Sequence, residues 1–62
     1  MIYNILQYRQ GIPRLVSSVE DRKVAFALAY ALAGLPFFEH GDTSLALIHG
    51  RKSLVAVQAV KG

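Results

Sequence analysis

Val24 to Phe38 read VAFALAYALAGLPFF, fifteen consecutive residues without a formal charge in a chain of 62. Alanine and leucine, which dominate the first ten, are strong helix formers. Gly34 suits the left-handed position just past a helix, with Leu35 folding back onto Tyr30. Pro36 then prevents the helix from continuing, because it lacks an amide proton and clashes with the preceding turn. Upstream, Ser17 and Glu20 have the S-x-x-E spacing of a capping box, and Glu20 and Asp21 suit the positive end of the helix dipole. The sequence therefore predicts a helix over residues 18–33.

A helix in a small soluble domain normally buries one side and wets the other. On a 100° wheel, Val24, Ala27, Leu28, Ala31 and Leu32 form one apolar stripe, which reads as the core face. The other side carries Arg22, Phe26, Ala29, Tyr30 and Ala33. Phe26 and Tyr30 are i,i+4 neighbours and share a ridge. With Ala33, Leu35, Phe37 and Phe38, they read as an outward apolar patch of the kind that marks a protein interface.

On either side of the helix the pattern is that of strands. Residues 2–8 (IYNILQY) are β-branched, aromatic and free of Pro and Gly. Gln10-Gly11 supplies a turn, since Gly11 tolerates positive φ. Residues 12–16 (IPRLV) form a second strand, short or at an edge because Pro13 cannot donate to a ladder. Residues 34–43 form a loop. Residues 44–49 and 53–60 then flank His49-Gly50-Arg51-Lys52 as a hairpin. Both of these strands are apolar on both faces. Leu45 and Leu47 oppose Ala46 and Ile48, and Leu54, Ala56 and Val60 oppose Val55, Val57 and Ala59. A sheet with one wet face alternates with polar residues, so these strands are central or are covered from outside the monomer. The expected fold class is α+β, a single 1–62 domain of order ββαββ, with a mostly antiparallel sheet and one helix on one face.

Size and composition narrow the function. A chain this short buries only about 60% of its unfolded surface, and such domains usually add disulfides, a metal or oligomerisation. The chain has no cysteine, which excludes disulfides and thiolate zinc sites. Self-association remains. The longest uncharged run is shorter than the ~18 apolar residues of a spanning helix, and MIYNILQYR lacks the features of a secretory leader. No membrane partner and a cytoplasmic location are expected.

The formal charge is +3, and its distribution is uneven. All four acids (Glu20, Asp21, Glu39, Asp42) lie between residues 20 and 42, while Arg9, Arg14, Arg51, Lys52 and Lys61 lie outside that stretch. Arg9, Arg14, Arg51 and Lys52, with Tyr3 and Tyr8, offer cations for phosphates and rings for stacking. Against this, a helix crossing from the second strand to the third would set the two basic hairpin tips at opposite ends of the sheet. The simpler reading is that charges solvate turn tips.

Catalytic and metal motifs are weak. Glu39, His40, Asp42 and His49 are the only clustered metal-capable side chains, and their spacing matches no zinc pattern. Ser17, Ser18, Ser44 and Ser53 are explained as caps or strand starts, and no base is placed beside them by sequence. Gly50-Arg51-Lys52-Ser53 superficially resembles the end of a phosphate-binding loop, but the required G-x-x-x-x-G-K-[ST] is absent and a strand follows where a helix should. No enzyme activity, cofactor, metal or catalytic residue is expected. The sequence favours a non-enzymatic protein-binding accessory module, a homodimer or higher oligomer that binds a larger protein partner. The second reading is a small nucleic-acid-binding protein, and the third is a repeating subunit of a larger assembly.

Overall fold

A computed structural model describes residues 1–61. The elements run β1 (Ile2–Arg9), β2 (Ile12–Val19), α1 (Arg22–Ala33), β3 (Leu45–His49) and β4 (Leu54–Val60). The four strands form one open sheet in the order β2-β1-β4-β3, with every neighbouring pair antiparallel. The helix packs on one face, giving the α+β ββαββ architecture.

The β1–β2 turn is the two-residue kind that matches strand twist. Gln10 (φ 53°) and Gly11 (φ 79°) both take positive φ, as a type I′ turn requires. Strand β2 runs three residues further than the composition suggests, to Val19. Ser17 lies opposite Ile5, Ser18 opposite Asn4 and Val19 opposite Tyr3, after a bulge that leaves Val16 unpaired between Leu15 and Ser17. The Ser18 hydroxyl donates to Asn4 Oδ1 at 2.6 Å.

This extension corrects the helix start. Ser17 and Glu20 form no capping box, because ladder bonds to β1 hold Ser17 extended. Asp21 is the N-cap (φ −94°, ψ 121°), its Oδ1 accepting from the amides of Lys23 at 2.9 Å and Val24 at 3.4 Å. The other end is as the sequence indicates. Gly34 is left-handed at φ 79°. Its amide bonds the Ala31 carbonyl at 3.2 Å, and the Leu35 amide bonds the Tyr30 carbonyl at 3.0 Å, which is a Schellman cap.

The helix lies with the opposite face inward from the one the wheel indicates. Ala25, Phe26, Ala29, Tyr30 and Ala33 are the buried residues of α1. They pack with Tyr3, Ile5, Ile48, Val55 and Val57 of the sheet. Val24 is 47% exposed and Leu28 40% exposed, while Phe26 is 1% and Tyr30 9% exposed. Two physical reasons decide this. Ala25, Ala29 and Ala33 recur every fourth residue over three turns, against the shorter pair Ala27 and Ala31 on the outward side, and all three are buried where the helix backbone approaches the sheet. The same side carries the aromatic pair, whose burial removes more apolar area from water than Val and Leu would.

The chain returns on itself after α1. Leu32 and Ala33 lie beside Lys52 and Ser53, since Lys52 N–H donates to the Ala33 carbonyl at 3.0 Å and Ser53 Oγ donates to the Leu32 carbonyl at 3.2 Å. Residues 34–44 then travel back along the helix to its N-terminal end. There Asp42 pairs with Arg22, and the Ser44 carbonyl accepts from the Ala59 amide at 2.9 Å. Strand β3 starts at that end. Both hairpin turns, residues 10–11 and 50–53, therefore project from the same end of the sheet. The opposite-ends arrangement holds only for a connection that does not double back.

Candidate functional site

The first surface is the face of the sheet that α1 does not cover. Alternation and register assign its members. From β1 they are Ile2, Asn4, Leu6 and Tyr8, and from β4 Leu54, Ala56, Gln58 and Val60. Leu45, Leu47 and His49 join from β3, and Pro13, Leu15 and Ser18 from β2. None is Asp, Glu, Lys or Arg. An antiparallel sheet with one solvated face alternates apolar-in with polar-out, and here the outward set is largely apolar.

Its centre is a single row crossing all four strands. Leu15 opposes Leu6, Leu6 opposes Ala56, and Ala56 opposes Leu47. Leu15 and Leu47, at the two ends of the row, are 62% and 52% exposed. On one side lies the row Pro13, Tyr8, Leu54, His49. On the other lies Ser18, Asn4, Gln58, Leu45, where the Ser18–Asn4 hydrogen bond and Gln58 supply the only amide and serine groups of the face. Alternation had indicated that β3 and β4 are apolar on both sides. Strand β4 is central, whereas β3 is an edge strand whose outward leucines are more than half exposed.

The residues read from sequence as an interface divide into two groups. Phe26, Tyr30 and Ala33 belong to the monomer core and present no outward ridge. Leu35 is half-buried and packs against that core. Phe37 and Phe38 are exposed, but they are anchored. Phe37 meets Tyr30 edge-on with centroids 6.3 Å apart, and Phe38 meets the His40 ring edge-on at 5.8 Å. His40 itself lies flat on Phe26, with centroids 4.3 Å apart and planes 5° from parallel, and its Nε2 hydrogen-bonds the Tyr30 hydroxyl. This aromatic cluster holds the return loop against α1. It also takes His40 out of any grouping with His49, which sits on the uncovered sheet face. Among the described residues no three His, Cys, Asp or Glu side chains converge on a metal position.

The second surface is the hairpin end. Strand β1 neighbours β4, with Tyr8 opposite Leu54. Arg9 and Ser53, one step further out, are therefore side by side. A shallow hollow of about 660 Å³ opens between the two turns, lined by Gln7, Tyr8, Arg9, Gln10, Lys52 and Ser53. A smaller one of about 290 Å³ adjoins it, where Arg9 and Arg14 meet across Gln7. Gln7 Nε2 donates to Ser53 Oγ at 3.0 Å and ties the two hairpins together. The tip cations that sequence reasoning separated are thus neighbours.

Charge is sorted along the strand axis. Glu20 and Asp21 lie at the β2–α1 junction and Glu39 and Asp42 in the return loop, all away from the hairpin tips. Among the described residues the ion pairs are Arg22 with Asp42 and Lys23 with Glu39, the latter at 3.6 Å. Arg9, Arg14, Arg51 and Lys52 enter neither. All four are exposed.

Comparison of the chain with protein-family models, with curated proteins and with solved structures gave no match. No helix is long and apolar enough to cross a membrane among the described residues.

Proposed function

We propose that this chain is a non-enzymatic binding module that works as a homodimer, joined through the uncovered face of its sheet. The observation that carries the reading is the in-register row Leu15–Leu6–Ala56–Leu47, its end leucines exposed, Leu6 half-buried and Ala56 sunk between its neighbours, on a face without a formal charge. Contiguous apolar surface on that scale is what monomers avoid and interfaces use. A second copy is the most economical occupant, since a two-fold contact needs one self-complementary patch.

The dimensions support this occupant. The subunit measures 29 × 23 × 15 Å along its principal axes. A face of that outline offers on the order of 600 Å² per subunit, or about 1,200 Å² in total, at the lower bound of stable interfaces. Two such sheets stack about 10 Å apart with strands roughly aligned, as in a sandwich. The helices then face outward, and the exposed Val24, Leu28, Phe37 and Phe38 stand where a further protein partner can reach them.

Light scattering behind a sizing column, across a range of protein concentrations, tests the reading. Twice the chain mass is expected for the native sequence. Leu15→Ser with Leu47→Ser is expected to give a folded monomer, with helical circular dichroism retained. A native chain that is monomeric at the highest attainable concentration overturns it. So does a double variant that keeps the dimer mass.

A further inference from the structure

We infer that the hairpin end of the sheet is a binding site for the phosphodiester backbone of a nucleic acid. The site belongs to the monomer, and the inference does not depend on the dimer. Its basis is the gathering of Arg9, Arg14, Arg51 and Lys52 at one end by the return of residues 34–44, with all four acids placed elsewhere. Those four are a majority of the seven Lys and Arg residues. The other three stand among the acids or, in the case of Lys61, just past β4 at the far end. The hairpin end thus carries four positive charges and no negative one on a protein whose formal total is +3.

Solvation of the two turns accounts for one or two cations at each, but not for the turns being brought together or for every acid lying elsewhere. Neighbouring strands lie about 4.8 Å apart, so the two hairpin tips are separated by roughly 10 Å. Duplex DNA carries one charge per ~1.7 Å of axis, so several phosphates fall within the span of these side chains. The Gln10 side chain lines the hollow between them, whose floor is fixed by Gln7 and Ser53 bonded to each other and by Ser53 to the Leu32 carbonyl. A nucleic acid is favoured over an anionic membrane by this shape. The two turns flank a shallow hollow and carry Gln10, Gly11, Arg51 and Lys52 at their tips, with the exposed Ile12 as a single apolar side chain beside the first. Lys52 also has a structural part, because its methylenes pack against Gly34 at the end of α1, with Cγ 2.8 Å from where a Gly34 Cβ would stand. Arg9, Arg14 and Arg51 make no such packing argument necessary, and they are the residues to test.

The experiment is fluorescence anisotropy with a labelled duplex and a labelled oligo-dT of equal length, alongside vesicles containing phosphatidylserine. Four phosphate contacts give a slope of log K against log salt of about −3.6 on duplex and about −2.8 on single strand. Raising salt from about 50 to about 200 mM then weakens duplex binding on the order of 100-fold. Arg9→Gln, Arg14→Gln and Arg51→Gln are each expected to shallow the slope by about one, as loss of one phosphate contact does, without lowering the melting temperature. Lys61→Gln, which removes the same charge at the opposite end, is expected to leave affinity and slope unchanged. The site is overturned by absence of binding to either oligonucleotide at low salt. It is equally overturned by a Lys61→Gln loss matching that of the tip variants, which would make the effect one of net charge, or by binding to the vesicles alone. Because the readout uses the folded monomer surface, a chain that proves monomeric and still binds retains this inference while losing the dimer.

Discussion

A Cβ on Gly50 would stand 2.1 Å from the carbonyl oxygen of Ala33 and 2.4 Å from its Cβ. The β3–β4 turn is pressed directly onto the last residue of α1, and it closes the helix. The Lys52 amide and the Ser53 hydroxyl satisfy the Ala33 and Leu32 carbonyls, which no intrahelical donor reaches.

Gly50→Ala is therefore expected to destabilise the fold by about 3 kcal/mol, the upper part of the range for overpacking against rigid backbone. Gly34→Ala should cost less, about 1–2 kcal/mol for a left-handed non-glycine residue. The nearest side chain there is the flexible stem of Lys52, which can shift. Gly41→Ala meets nothing within 4 Å and should be neutral. Denaturant midpoints of the three variants check the order, and equal losses at 50 and 41 would contradict the close approach.

Phe26→Ala should cost about 3–5 kcal/mol, as for a fully buried aromatic, and in a domain this small that approaches complete unfolding. Leu28→Ser, on the outward side of the same helix, should cost under about 1 kcal/mol, as exposed substitutions away from special features do. A thermal melt that ranks the two the other way round would restore the wheel's choice of core stripe.

Asp21→Ala should cost about 1 kcal/mol through loss of the N-cap. Ser17→Ala removes no cap, and its melting temperature should stay close to that of the native chain. A larger loss at residue 17 than at residue 21 would place the helix start back at the S-x-x-E sequence.

Tyr30→Phe keeps the buried ring and deletes the hydroxyl that meets His40. The expected loss is about 1 kcal/mol, the usual worth of one hydrogen bond. Increased proteolytic nicking of residues 36–42 should accompany it, because that contact ties the return loop to α1. Unchanged stability and unchanged nicking would show that the stacking of His40 on Phe26 holds the loop without it.

Much of the fold was legible because its punctuation is local. The turn at Gln10-Gly11, the glycine cap at Gly34 followed by Pro36, and the apolar runs of β1, β3 and β4 each follow from the conformational limits of a few adjacent residues. These yield the order ββαββ and a single helix. The apolar character of both faces of β3 and β4 was also readable, and it led toward the uncovered sheet face. The start of the helix was not legible in this way. Ser17 to Val19 are competent to begin a helix, and pairing with Ile5 to Tyr3, a contact between distant parts of the chain, draws them into β2 instead.

Two features of the candidate sites depended wholly on tertiary structure. A helix apolar on all sides has no wet face to mark the dry one. The choice fell to the side where Ala25, Ala29 and Ala33 let the backbone approach the sheet and Phe26 and Tyr30 fill the space. Patterning alone favours the Val24–Leu28 stripe because it counts hydrophobic residues and not the fit of small ones against a neighbour. The basic end is the second case. Sequence determined that Arg9, Arg14, Arg51 and Lys52 lie in or near two turns apart from every acid. Only the path of residues 34–44 decided that the two turns meet. A loop's direction is set by what it packs against, here His40 on Phe26 and Asp42 on Arg22, and those contacts do not exist until the helix and sheet are in place.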